Sequence, residues 1–311
     1  MINKKLRAAI IGANSYIARN LIYKIRNNYS KLFKLELYDR HEKHADNVEP
    51  YHLIDLLDVQ TFSSVNYDCD LLYVFAGKTG TAQGFDDYES YIDINEKGLL
   101  NILKVHYSQG SKARIIFPST RLVYKGQKDT PLTESAEKEF KTLYAINKFS
   151  CEQYLNMYHE VFGIPFTVFR ICVPYGTLIP EVNSYGTAEF FLSKAKKGEN
   201  ILLYGDGTQK RTLIHIGDLC EALVQGAVNK NCGDEVYNIG GADHMSLCEM
   251  ARAIAGAYKV EVEFTNWPDM AKNIESGDTI FDSTKFDRAT NFSYSMHFNE
   301  WIIEELKELS L

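Results

Sequence analysis

The sequence predicts an α/β fold built on a doubly wound parallel sheet. Three observations predict it: short apolar runs alternate with amphipathic stretches, one run is apolar on both faces, and the first run ends on a glycine that opens a helix-like segment. Leu6–Ile11, Phe33–Tyr38, Leu71–Ala76, Arg114–Phe117 and Phe166–Ile171 read as strands. Leu71-Leu72-Tyr73-Val74-Phe75-Ala76 carries no charge on either face, as suits a parallel strand covered by helices on both sides. Between the strands, Tyr16–Asn27, Tyr88–Tyr107 and Leu143–Phe162 have helical character. After Arg170 the chain becomes loop-rich: Pro174, Gly176, Pro180 and Gly186 fall close together before a helix-like Ala188–Lys197. Such insertions commonly carry specificity. Tyr237–Gly240 returns to the sheet, and Ser246–Ala257 and Phe298–Leu309 read as later helices.

A chain of 311 residues with 45% hydrophobic content can bury a large core, enough for two domains or one with an insertion. Its net charge of −7 and lack of any basic run count against a nucleic-acid partner, while leaving room for a local phosphate-binding arginine. The apolar run after the basic start stops at Gly12, too short for a secretory core, and no stretch is long enough to span a membrane. The six cysteines form no Cys-x-x-Cys pair and the histidines show no ligand spacing. Reduced thiols, a cytoplasmic location, no membrane partner and no metal are expected.

Gly12-Ala13-Asn14-Ser15-Tyr16-Ile17-Ala18 joins the first strand to the first helix, where backbone amides and the helix dipole can receive a pyrophosphate. Gly12, Ser15, Tyr16 and Ile17 are the candidates there, although an ordinary strand-to-helix turn uses the same pattern. Asp39, at the end of the second strand, is placed to accept from ribose hydroxyls, which favours NAD. Arg40 follows and could greet a 2′-phosphate instead, so NADP stays open. Asp55 could reach an adenine or be an exposed loop acid, and Ala76 and Gly77 at the end of the strand Leu71–Ala76 either shape the site or begin a glycine loop.

Tyr144 and Lys148 stand four apart, so on a helix they share a face. A tyrosine titrates near ~10, and each unit is worth about 1.4 kcal/mol, so a phenolate near neutrality needs roughly 4 kcal/mol from its surroundings. The lysine ammonium is one source. Tyr124 and Lys128 repeat the spacing, but Gly126 and Pro131 place them in a loop.

With these pieces the chain resembles the extended short-chain dehydrogenase/reductase family, in its NAD-dependent nucleotide-sugar epimerase and dehydratase branch. Ser119-Thr120-Arg121-Leu122-Val123-Tyr124-Lys125-Gly126 is similar to the family's strand-end pattern with one lysine inserted before the glycine. Asn95-Glu96-Lys97-Gly98-Leu99-Leu100-Asn101 resembles its Asn-Val-x-Gly-Thr-x-Asn helix, and Asp206–Arg211 followed by Ile214–Asp218 its substrate-diphosphate segment. The resemblance implies a Rossmann-like domain of residues 1–177 and 212–242 and a smaller discontinuous substrate domain of residues 178–211 and 243–311. It makes Tyr144 the general acid/base, Lys148 the group that binds the nicotinamide ribose and lowers the tyrosine pKa, and Thr120 the hydrogen-bond partner of the reacting sugar oxygen. Arg211 would clamp the substrate diphosphate; only Lys272 stands near the family's second such arginine. His215 reads as a fold histidine.

The expected reaction is epimerisation of a nucleotide-diphosphate sugar at carbon 4 through a keto intermediate. Net reduction of a 4-keto sugar is the alternative, and a non-catalytic dinucleotide sensor is a reading of another class. Arg121-Leu122 stands where 4,6-dehydratases of the family place an acid pair, which disfavours dehydration; Val173 replaces an asparagine that touches substrate in many members. The family also implies a homodimer through the helices of Tyr88–Tyr107 and Leu143–Phe162.

Overall fold

Seven parallel strands form the central sheet of the computed structural model, which describes residues 4–180 and 186–308. Their spatial order is Glu235–Ile239, Phe166–Ile171, Arg114–Thr120, Leu71–Val74, Leu6–Ile11, Phe33–Asp39 and Tyr51–Leu53. The chain starts at Leu6–Ile11, runs outward to one edge, and returns on the other side of its starting strand at Leu71–Val74. That reversal opens a crevice beyond the carboxyl ends of these two strands, the usual seat of ligands in such sheets.

Apolar side chains explain the layers. One buried cluster gathers Ile10, Leu21, Ile25, Tyr73, Phe169, Leu219 and Leu223; a second, with Ile11, Leu72, Leu103, Ile115, Leu155 and Val168, completes the sandwich around the sheet. A third cluster joins Val173, Tyr175, Phe191, Leu213, Met250, Phe298 and Trp301 around a three-stranded sheet of Asp243–Ser246, Lys210–His215 and Val173–Tyr175. Phe281 and Phe286, late in the chain, pack in the first cluster.

The expected strands and most expected helices are present. Arg114–Phe117 continues to Thr120, with Ser119 and Thr120 paired to Arg170 and Ile171, because the ladder outlasts the apolar run. Leu71–Ala76 leaves the sheet after Val74, where the amides of Phe75 and Ala76 both donate to the Ile11 carbonyl, at 2.8 and 3.0 Å. The segment from Tyr88 to Ser108 is helical but widens into a π-helix over Ile92–Lys97. The helix expected to end at Leu309 runs Phe298–Glu308, and Leu309 lies outside the described residues. Ile216–Val228 is a helix not among those expected: most of it is buried against helix Tyr16–Asn28 and the sheets, and only the narrow stripe of Gly217, Glu221, Gln225 and Val228 reaches the surface. Among the described residues no helix is long and apolar enough to cross a membrane, and no group of three or more His, Cys, Asp or Glu could hold a metal ion.

Candidate active site

The crevice at the sheet reversal is a cleft of about 390 Å³ lined by Gly12, Ser15, Asp39, Asp55, Ala76 and Gly77 among others. Gly12 has φ +86°, and a Cβ there would lie 2.2 Å from the Ala76 nitrogen, so only glycine lets the first strand's exit and the fourth strand's exit approach this closely. Ser15 caps helix Tyr16–Asn28 without a side-chain capping bond, and its buried Oγ has no hydrogen-bond partner among the described residues. An orphaned hydroxyl at a helix N-terminus on a cleft suits a phosphate oxygen. Asp39 is buried, its two oxygens accepting the Asn14 and His41 amides at 3.0 Å each, which fixes the carboxylate at the strand end. Lone pairs remain on both oxygens for ribose hydroxyls. Asp55 is exposed at the cleft rim and accepts the Leu57 amide at 2.9 Å. Tyr16 and Ile17 lie off the cleft lining: the Tyr16 hydroxyl donates to the Gly176 carbonyl at 2.6 Å and Ile17 packs on the first cluster. These residues fit a dinucleotide.

The three residues expected to react, Thr120, Tyr144 and Lys148, lie beyond this cleft, on the strand Arg114–Thr120 and the helix beside it. Helix Leu143–Phe162 starts where Thr142 accepts the Ala145 amide at 3.2 Å and stops at Gly163 in the left-handed region, φ +67°. Tyr144 sits half-buried in its first turn. Lys148, one turn on, is buried; its ammonium donates to the Pro118 carbonyl at 2.8 Å and lies 5.9 Å from the centre of the Tyr144 ring. Burial pushes the Lys148 amine down to about 8, which leaves it mostly charged at neutral pH. Thr120 ends the same strand two residues after Pro118, and its Oγ accepts the Leu122 amide at 3.3 Å. That bond uses a lone pair, so the hydroxyl hydrogen can still be donated. Tyr124, of the second tyrosine-lysine pair, is a buried loop residue donating to the Asn238 side chain at 2.6 Å.

Asn95 joins the two halves. On the π-helix its Oδ1 accepts the Lys78 amide at 2.7 Å, and its Nδ2 donates to the Lys78 carbonyl at 3.1 Å and to Asn147 at 3.3 Å. One side chain thus clips the loop after Gly77 to the residue before Lys148. Its motif was visible in the sequence; its role depends on the wider helical turn.

Arg211 is buried and already bonded. Its Nη1 donates to the Lys210 carbonyl at 2.9 Å and the Gly277 carbonyl at 2.5 Å, and its Nη2 makes an ion pair with Glu275. Lys272 is exposed on the short helix Asp269–Ile274; the cation that shares the Arg211 surroundings is Arg121. Arg121 stood out in the sequence only as the residue in place of a dehydratase acid, and Glu275 not at all, because it lies far along the chain from either arginine. His215 is half-buried against Tyr175, their ring centres 5.5 Å apart, and its Nδ1 accepts the Gly217 amide at 3.2 Å.

Comparison with known proteins agrees with this geometry. Residues 8–240 match the model of the NAD dependent epimerase/dehydratase family. The chain is 29% identical over 220 residues to a UDP-N-acetyl-alpha-D-glucosaminuronate decarboxylase of Bacillus cytotoxicus, covering 69% of this chain and 67% of that protein. It is 25% identical over 289 residues to a UDP-glucuronate 4-epimerase of Thermodesulfobacterium geofontis, covering 85% and 81%. Its fold superposes on the Thermus thermophilus UDP-glucose 4-epimerase in complex with NAD at a TM-score of 0.85, with 19% identity and 98% and 99% coverage. With its motifs, sheet order and dinucleotide cleft in agreement, the chain belongs to the NAD-dependent epimerase/dehydratase family, in the extended short-chain dehydrogenase/reductase group.

Proposed function

We propose that the protein is an NAD-dependent epimerase of a nucleotide-diphosphate sugar, acting at carbon 4 through a keto intermediate. The observation that carries the proposal is the placement of Thr120 at the end of the strand Arg114–Thr120, beside a helix that stacks Tyr144 over Lys148. Bound in the cleft of Gly12, Ser15 and Asp39, NAD supplies a hydride acceptor that can return what it took. Tyr144 takes the proton of the sugar hydroxyl as the carbonyl forms, and gives it back when the keto sugar has turned and is reduced on its other face. Thr120 donates a hydrogen bond to the same oxygen, and the Lys148 charge favours the tyrosine phenolate. Arg121 and Leu122, where an acid pair would drive elimination, speak against dehydration.

The relatives' uridine diphosphate sugars make UDP-sugars the first substrates to assay. We further infer the domain division of 1–177 with 212–242 and 178–211 with 243–311, with Phe281 and Phe286 reaching back into the nucleotide-binding core. Exposed apolar side chains on the helices beside the site, Tyr107, Met157 and Val161, support a homodimer, which light scattering checks. Unpaired cysteines, five of them buried, suit the cytoplasm.

The fate of the hydride tests the reaction. An epimerase needs only catalytic or prebound NAD, so product should accumulate over many turnovers with no net NADH. Product that stops at one equivalent of supplied reduced cofactor, and resumes only on further addition, would instead establish the keto-sugar reductase.

A further inference from the structure

We propose that Arg121 is a substrate-binding residue that engages an anionic oxygen group of the nucleotide sugar, a task its neighbour Arg211 is electrostatically unsuited to perform alone. The inference rests on the nucleotide-sugar reading above and adds a residue that no motif assigns.

Four cations surround the segment Glu275–Thr279 and the loop facing it. Arg211 has Glu275, Lys210 has Asp129 at 2.6 Å, and Lys141 has Glu139 at 3.4 Å. Arg121 is different. Its Nη1 donates only to neutral hydroxyls, Thr279 Oγ1 at 3.2 Å and Ser276 Oγ at 3.4 Å, and no carboxylate lies within ion-pair distance of it among the described residues. A guanidinium carries five donors in a planar fork suited to phosphate or carboxylate, so most of that capacity remains available.

Its surroundings are rigid. The Asp278 carboxylate accepts the Asp129 amide at 2.9 Å and the Lys210 amide at 2.8 Å, while its carbonyl accepts the Gln127 amide at 3.0 Å. A Cβ at Gly126 would lie 1.9 Å from the Ser276 carbonyl oxygen. The loop carrying Arg121 is thereby fastened to the segment that supplies both hydroxyls. Desolvation, and then the neighbouring Arg211 charge, push the Arg121 guanidinium down to about 9, against the opposing pull of Glu275, which is paired with Arg211. Position supplies the last step: Arg121 directly follows Thr120, so an anion it binds belongs to the molecule whose reacting oxygen Thr120 holds.

Two parts of a nucleotide sugar offer this chemistry, the diphosphate and a carboxylate on the sugar. Calorimetry on the NAD-loaded full chain, with UDP, UDP-glucose and UDP-glucuronate as probes, distinguishes them. Arg121→Gln should weaken binding by about tenfold to a hundredfold, the range for a charge-assisted hydrogen bond, while NAD affinity stays unchanged. An equal loss for all three probes assigns the diphosphate; a loss confined to UDP-glucuronate assigns the carboxylate. Arg121→Lys, which keeps the charge without the fork, should recover part of the loss. If wild type binds and both variants bind every probe equally well with NAD affinity intact, the Arg121 assignment is overturned. If wild type binds NAD but none of these nor other nucleoside-diphosphate sugars, the nucleotide-sugar reading itself falls and takes the assignment with it.

Discussion

Arg170 lies on the strand Phe166–Ile171 and Arg121 directly follows the neighbouring strand Arg114–Thr120 at the same end of the sheet, yet they have opposite electrostatic surroundings. Arg170 is buried against Glu152, its Nε 3.0 and 3.2 Å from the two carboxylate oxygens, and its Nη1 donates to the Tyr124 hydroxyl and the Glu134 carbonyl, both at 2.8 Å. The carboxylate holds its charge more firmly than in water, raising its pKa despite burial. Arg121 bonds only to hydroxyls, and desolvation and the Arg211 charge outweigh the pull of Glu275, which is paired with Arg211, so its pKa falls. A buried charge that is fully answered belongs to the fold. One left without a carboxylate partner beside Thr120 is available to a ligand.

The sharpest separation of fold from chemistry is Tyr144→Phe. Only the phenolic oxygen goes, so turnover should drop by about 10²- to 10⁴-fold, the usual share of a positioned acid/base, with the unfolding midpoint and NAD affinity nearly unchanged. Near-normal turnover by a variant free of contaminating enzyme would rule out the proton-transfer role.

Arg170→Met is the reverse case. It leaves Glu152 buried without its counter-charge, and removing one partner of a buried pair costs about 3–5 kcal/mol. Denaturant unfolding should show that loss at neutral pH, and whatever variant remains folded should bind NAD. An unchanged midpoint would mean that the Glu152–Arg170 pair does not anchor this end of the sheet.

The same contrast explains what was legible in the sequence. Gly12, Asp39, Tyr144 and Lys148 could be picked out because their placement follows from local rules, a glycine after a strand, an acid at a strand end, two residues one helical turn apart, while Thr120 came only from the family's strand-end pattern. The surroundings of Arg211 follow from no such rule. Glu275, Ser276 and Thr279 reach the site from a late segment held in place by Asp278, and nothing in the spacing around Arg211 announces a carboxylate 64 residues away. Arg121 was legible only as a missing acid. Asn95 lay in a recognised motif, but its reach to Lys78 and Asn147 depends on a π-helix that an apolar period does not reveal. Helix Ile216–Val228 shows its period only in the narrow stripe of Gly217, Glu221, Gln225 and Val228 along an otherwise buried surface.

Lys148 lies between the two arginines in character, and pH measures where. It is buried like Arg170, but its ammonium meets a carbonyl rather than a bonded carboxylate, and desolvation brings its pKa from 10.5 to about 8. Between those values the unfolded chain holds a proton that the folded chain has released, so stability from this group rises with pH through the window. The cost of charging it is fully present below about 8 and fades above. Measured without added NAD, the unfolding free energy of wild type minus that of Lys148→Met should therefore increase from pH 8 to pH 10, by at most about 1.4 kcal/mol per pH unit. Lysines and tyrosines common to both proteins cancel in the difference. A flat difference would show that Lys148 keeps its charge throughout the range, as a fully answered cation would. It would then be grouped with Arg170 rather than with the groups poised for a ligand.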